Sequence, residues 1–403
     1  MFGWHLGREL VSSSMVKTVN IAGAGIGGLT AAIALARRGI SVGVYEQTAA
    51  LSEVGAGLQL SPNAMQILRN LGLEGPLREL AFEPESAVIK DGTTSRTYVS
   101  VPVKDASETK FGAPYFHVHR ADLHRVLYAE AAHLGVSVQL GKRLENFSNS
   151  GFTGVPVADV SIAADGVRSA NAEAICPNQP ARFTGQVAWR GTVPAGRLPE
   201  GLIPPDATVW TGVGKHLVTY YVRGGAILNF VVAEERDNWI DSDWNKAGDI
   251  DLLRSSFKDW HPTIVTLLGA AQAANIWALY DKPVLDRWSV GSVVLLGDAC
   301  HPTLPFIAQG AAMAIEDAYV LAACLDGAND VPLALKRYEM LRKPRTSMLQ
   351  AKARKNADMF HRRGPFDGLL SKAKLQTARC LPSRLVMKQF DGIYAYDATK
   401  IMG

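Results

Sequence analysis

"TVNIAGAGIGGLTAAIALARRGISVGVYE", residues 18–46, decides the fold. Val19–Ala22 reads as a short buried strand. Gly23, Gly25 and Gly28 follow in G-x-G-x-x-G spacing, then a helical pattern with small residues at Ala32 and Gly39, then a second strand ending at Glu46. Gly23 allows a tight turn, Gly25 lets the backbone approach a pyrophosphate, and Gly28 lets the helix lie against the sheet. The helix N-terminus offers unpaired N–H groups to phosphates, and Glu46 can accept from ribose hydroxyls. A lone glycine triplet is weak evidence. Here the preceding strand, the following helix and the acid agree on a dinucleotide site. FAD and NAD remain open, and the acid at position 46 makes NADP the least suitable occupant.

The chain has 403 residues, 47% of them apolar and 20% charged, enough for two or three domains or one large interrupted one. A net charge of +4 with no Lys/Arg cluster among exposed aromatics gives no argument for nucleic acid. Cys176, Cys300, Cys324 and Cys380 are scattered, without metal-ligand spacing and too few for a disulfide scaffold. No metal is expected, and a reducing cytoplasm is. Residues 1–14 lack the apolar core of a signal peptide and read as a disordered extension before Met15. No apolar run reaches membrane-spanning length.

Two further strands end in acids. "VSIAADGVRS" (160–169) ends in Asp165-Gly166, which by itself is a turn dipeptide. "SVVLLGDACHP" (292–302) ends in Gly297-Asp298, where an acid can cap a helix or hold a sugar hydroxyl. "QGAAMAIEDA" (309–318) then opens a helix with small residues, so its N–H groups and positive dipole end are open to close approach.

In order and spacing these three signals resemble the single-component FAD aromatic hydroxylases, especially the salicylate hydroxylase and 6-hydroxynicotinate monooxygenase group. "EVGAGLQLSPNAMQILRNLGL" (53–73), "HRADLHRVL" (119–127), "AWRGTVPA" (188–195) and "FDGIYAYDA" (390–398) extend the likeness over nearly the whole chain from Lys17. The resemblance implies that Gly23, Gly25, Gly28 and Glu46 hold the ADP half of FAD and that Gly57 lies at the cofactor. It implies that Arg120 reaches the flavin or its diphosphate, that Asp165 lies near the pyrophosphate, and that Asp298 binds the ribityl chain. Gly310, Ala311 and Ala312 would face the flavin pyrimidine ring, where the helix start stabilises charge on reduced flavin. His301 and Cys300 are read as buried parts of the cofactor loop. Two departures stand out. "ENFSNSGFTGVPVADV" (145–160) is shorter than the strand–turn–strand hairpin usual there, which bears on Asp165. Asn171-Ala172-Glu173 stands after "GVRS", where another arginine is common.

The expected architecture is α/β: a Rossmann-like FAD-binding domain in three pieces (15–84, 111–180, 280–325), a mixed β-sheet substrate domain (85–110, 181–279), and a C-terminal helical segment (326–403). Lys352, Arg354 and Lys355 read as a solvated helix face. Residues two apart share a strand face, so His216, Val218, Tyr220 and Val222 line one side of "KHLVTYYV", and Thr219 the other. The resemblance places His216 and Tyr220 at the substrate as catalytic candidates, with Pro305 and Phe306 as apolar walls and Gln59 along the ring. It implies hydroxylation of a salicylate-, hydroxybenzoate- or hydroxynicotinate-like ring with O2 and a transient NADH or NADPH, through a flavin C4a-hydroperoxide, by a monomer or homodimer. The rivals are a related monooxygenase acting on a non-aromatic or polycyclic substrate, and a flavin-binding protein without turnover.

Overall fold

The computed structural model describes residues 15–50, 56–237, 239, 246–360 and 387–401; the expected extension 1–14 lies outside them. The glycine-loop strand Thr18–Ala22 sits inside a six-stranded sheet. Its order is Ser289–Val290, Val293–Leu295, Val160–Ala163, Thr18–Ala22, Ser41–Tyr45, Ser137–Gln139. All neighbours are parallel except the first pair. The central strands are nearly continuous Val/Ile/Ala because both sheet faces are covered. Helices Ile26–Ala36 and Gly310–Leu325 lie close together, and a Cβ on Gly27 would stand 2.7 Å from Leu296 and 3.2 Å from Ala314.

The second sheet has eight strands, ordered Lys246–Ala247, Asn275–Asp281, Arg182–Pro194, Ile227–Glu235, Lys215–Val222, Ala207–Thr211, Ser86–Asp91, Thr97–Pro102. Lys215–Val222 and Ile227–Glu235 form a hairpin around the turn Arg223–Gly225. The strands alternate. Trp189, Trp210, Leu217 and Phe230 pack with Leu253, Phe257, Ile264 and Leu267 of the adjoining helical segment. The residues between them face the opposite way, into a cavity below the sheet.

The C-terminal helix Val331–Phe360 is not a separate unit. Leu335 and Tyr338 join the core of the cofactor sheet, while Ala353, Ala357 and Phe360 join Ala188, Ala233 and Phe306 under the second sheet. The segment after Leu144 holds a short hairpin, Phe147–Ser148 with Gly151–Phe152, with Phe152 buried against the parallel sheet.

Candidate active site

The glycine loop divides its labour. Gly23 has φ +102°, and a Cβ there would stand 2.5 Å from the Ala164 carbonyl oxygen. A Cβ on Gly28 would stand 2.0 Å from the Gly23 carbonyl oxygen. Both glycines are therefore required by packing within the protein. Gly25 differs: it caps the helix in extended conformation, has no side-chain cap, and a Cβ there would meet nothing within 4 Å. That open space at bare helix amides is what a diphosphate needs. Glu46 accepts from the Ala24 amide at 2.8 Å and from the Thr48 amide at 3.0 Å, at the strand end beside the loop.

A cavity of about 1350 Å³ runs from this loop to the second sheet. It exceeds the roughly 300–1,000 Å³ of single-ligand pockets, so it has room for a cofactor head and a second ring. Gly25, Gly57, Gln59, Arg120, His216, Tyr220, Asp298, Pro305, Phe306, Gly310 and Ala311 line it, so the structure brings these predicted residues together. Val222 shares their strand face but is buried away from the cavity.

Gly23, Gly28, Glu46 and Asp165 do not line it. The Asp165 carboxylate is turned toward Asn171, whose amide donates to it at 2.9 Å and also to the Leu144 carbonyl. Only the neighbours Ala164 and Gly166 reach the cavity, and the Asp165 side chain does not. Burial pushes the Asp165 carboxyl above its usual range. Gly57 has a reason beyond a cofactor: a Cβ there would stand 2.3 Å from the Tyr220 ring, and its amide donates to the buried Asn229 Oδ1 at 2.8 Å.

Asp298 leaves the strand Val293–Leu295 after Gly297, whose φ of +65° turns the chain. Its side chain is surrounded by protein yet open to the water of the cavity. Desolvation raises its pKa, against the pull of His301 and Arg120. A buried ionic cluster holds this loop. Asp317 accepts from the Gly297 amide at 3.2 Å, pairs with His301 at 2.5 Å, and receives Arg342 at 2.7 Å. Burial alone raises Asp317, but His301 and Arg342 outweigh it and hold the carboxyl low. Arg342 and Arg345 also clamp Glu316, which accepts from Asn63 at 2.6 Å. His301 is thus a buried partner of Asp317, and Cys300 is buried with its thiol pushed well up by desolvation. The helix Gly310–Leu325 starts without a side-chain cap, its first turn open to the cavity at Gly310 and Ala311.

On the sheet face, His216 packs its ring against Phe306 and Phe360, with centroids 5.5 and 5.1 Å away. The Tyr220 ring lies 4.7 Å from His117, and burial raises its hydroxyl to about 12, with Arg190 opposing. At neutral pH Tyr220 is a donor, not a base. Gln59 accepts from the Tyr115 hydroxyl at 2.8 Å. Ile89, Val99, Val101, Val209 and Val218 form an apolar floor.

Several lining residues were not singled out from sequence. Arg190 sits within a motif noted for its likeness, but nothing local marks it. Lys352 and Lys355 line the cavity, Lys355 exposed as expected; of these three basic residues only Arg354 pairs among the described residues, with Asp281 at 2.8 Å. Asn229 and His117 are wholly buried supports of Gly57 and Tyr220.

Residues 16–187 and 241–352 match the family defined by an FAD binding domain. The chain is 36% identical over 349 residues to 6-hydroxynicotinate 3-monooxygenase of Pseudomonas fluorescens, covering 84% of this chain and 90% of that one. It is 35% identical over 350 residues to 3-amino-4-hydroxybenzoate 2-monooxygenase of Streptomyces cremeus, covering 85% and 87%. Among solved structures, Klebsiella pneumoniae HpxO complexed with FAD and uric acid superposes with a TM-score of 0.82 at 29% identity, over 94% of this chain and 97% of that one. A salicylate hydroxylase substrate complex gives 0.78 at 25%, over 96% and 97%. The protein therefore belongs to the FAD-binding-domain family. Within it, the chain is one of the flavin-dependent aromatic monooxygenases. The open space at Gly25 and the uncapped helix start at Gly310 fit FAD.

Proposed function

We propose that the protein hydroxylates a small aromatic acid of the hydroxybenzoate or hydroxynicotinate kind, using NAD(P)H and O2. The observation that carries this reading is the composition of the cavity lining. An apolar surface of Ile89, Val99, Val101, Val209 and Val218 lines the cavity together with His216 and Tyr220. Four cations (Arg120, Arg190, Lys352, Lys355) surround it, against one carboxylate, Asp298, among the described residues. Such a lining suits a flat, negatively charged ligand. The relatives that act on hydroxynicotinate and aminohydroxybenzoate support the same class.

Bound FAD supplies the redox chemistry and activates oxygen. Gly25 and its helix amides hold the phosphates, Asp298 the ribityl hydroxyls, and the Gly310 helix start the electron-rich edge of the ring. His216 is the candidate acceptor for a ring-hydroxyl proton, and the protonated Tyr220 orients the ring by donating to it. Phe306, Phe360 and the valine floor exclude water, which keeps the reaction coupled.

The test is a panel of benzoate, salicylate and nicotinate analogues added to purified protein with NADH or NADPH. A good substrate accelerates NAD(P)H consumption and yields a ring-hydroxylated product by mass spectrometry. Hydrogen peroxide as the sole product across the panel overturns the reading.

A further inference from the structure

We propose that Arg190 is an oxyanion-binding residue of the cavity, taking the carboxylate or phosphate of a ligand that comes and goes. The inference rests on the proposed function for its choice of ligands. Arg190 lies on the strand Arg182–Pro194, level with Val231 on the neighbouring strand and with Val218 on the strand beyond it. Cross-strand partners point to the same side of a sheet, and Val218 and Val231 both line the cavity, as Arg190 does.

Its Nε is buried and has no hydrogen-bond acceptor among the described residues. The guanidinium lies over the Trp277 ring at 5.2 Å, which fixes its plane without neutralising it. Other buried or partly buried arginines are treated differently. Arg342 has Glu316 and Asp317, Arg345 has Glu316, and Arg223 has Asp122. The ionisable groups that bear on Arg190 are Tyr220, whose hydroxyl stays protonated, and Arg120, a second cation. A half-buried cation beside another cation is unfavourable until an anion arrives. The planar guanidinium fork matches the two oxygens of a carboxylate or phosphate. Two anions reach such a cavity: the carboxylate of the aromatic acid, and the phosphates of the nicotinamide dinucleotide.

The experiment uses FAD-loaded Arg190→Gln and Arg190→Lys, with FAD content and melting temperature recorded for each. One arm titrates 3-hydroxybenzoate and the uncharged 3-hydroxybenzamide, read by flavin absorbance. The other compares flavin reduction by NADH and by reduced nicotinamide riboside, which lacks phosphate. Loss of a charge-assisted contact weakens one anionic ligand about 10–100-fold in Arg190→Gln, with its uncharged counterpart little changed. Arg190→Lys recovers part of that loss. A carboxylate-selective loss assigns the aromatic acid, and a phosphate-selective loss assigns the dinucleotide. Equal affinities in wild type and Arg190→Gln overturn the proposal. So does equal weakening of charged and uncharged members, or loss of FAD with both arms unchanged. If wild type responds to no aromatic ligand, the proposed function fails, and the dinucleotide arm still judges Arg190.

Discussion

Conservative changes at adjacent residues of Lys215–Val222 should separate stability from coupling. Thr219 faces the core, where its buried hydroxyl accepts from the Trp210 indole at 3.1 Å. Thr219→Val keeps the shape and leaves that N–H without an acceptor, at a cost of about 1–3 kcal/mol. Each kcal/mol lowers Tm by about 2–4 °C at 150–250 residues, and by less in a longer chain, so a fall of a few degrees is expected with coupling intact. Tyr220 faces the cavity, and its hydroxyl remains protonated until pH approaches about 12. Tyr220→Phe removes a donor and leaves the ring packed on His117 and Gly57. Stability should hold, while losing a hydrogen bond to a charged oxygen, about 1.5–3 kcal/mol, lowers coupled hydroxylation about 10–100-fold. The assay measures FAD content, thermal melting, NAD(P)H consumption, hydroxylated product and peroxide on all three proteins. Thr219→Val that uncouples without melting lower, or Tyr220→Phe that melts lower without uncoupling, refutes the assignment of faces.

Gly25→Ala should fold and melt like the apo wild type, since its Cβ meets no protein atom, yet lose FAD because the methyl occupies the diphosphate's approach; full FAD occupancy would remove Gly25 from the site. Asp298→Ala should weaken FAD retention by about 10–100-fold through loss of a charge-assisted hydrogen bond, read by equilibrium dialysis, and unchanged retention would count against the ribityl contact. Burial lowers the His117 pKa to about 3, so the unfolded chain takes up this proton first as pH falls below 6.5. Stability from His117 is therefore complete above pH 6.5 and lost toward pH 3, by up to about 1.4 kcal/mol per pH unit. Denaturation curves of His117→Leu between pH 7 and 5 should show a shallower acid loss than wild type, and identical slopes would mean His117 is not the group.

The strand faces were legible because a period of two needs no knowledge of neighbours, and His216, Val218 and Tyr220 could be grouped from eight residues. The cofactor loop was legible because its glycines act within one strand–turn–helix unit. Arg190 was not, because its place in the cavity depends on the register Arg190–Val231–Val218, which joins distant segments. That Lys352 and Lys355 line the cavity was hidden for the same reason: the helix pattern does not say which sheet it lies beneath. The direction of the Asp165 carboxylate was not legible either, because its partner Asn171 sits six residues on, across a turn.

That partner also links the two departures from the family pattern. The resemblance implied a longer segment between Leu144 and Asp165 and an arginine after the Gly166–Ser169 stretch, where Asn171-Ala172-Glu173 follows. In the structure one Asn171 amide nitrogen donates to the Leu144 carbonyl and to Asp165 Oδ2, both at 2.9 Å. These acceptors are the two ends of the segment 144–165. An amide nitrogen has two hydrogens, so it can satisfy both at once and needs no counter-ion. A guanidinium here would meet the same acceptors from a longer stem, in a space where Asn171 is wholly buried. Asn171 thus ties Leu144 to Asp165, which follows the strand Val160–Ala163. The Ala164–Gly166 backbone is thereby held at the cavity edge.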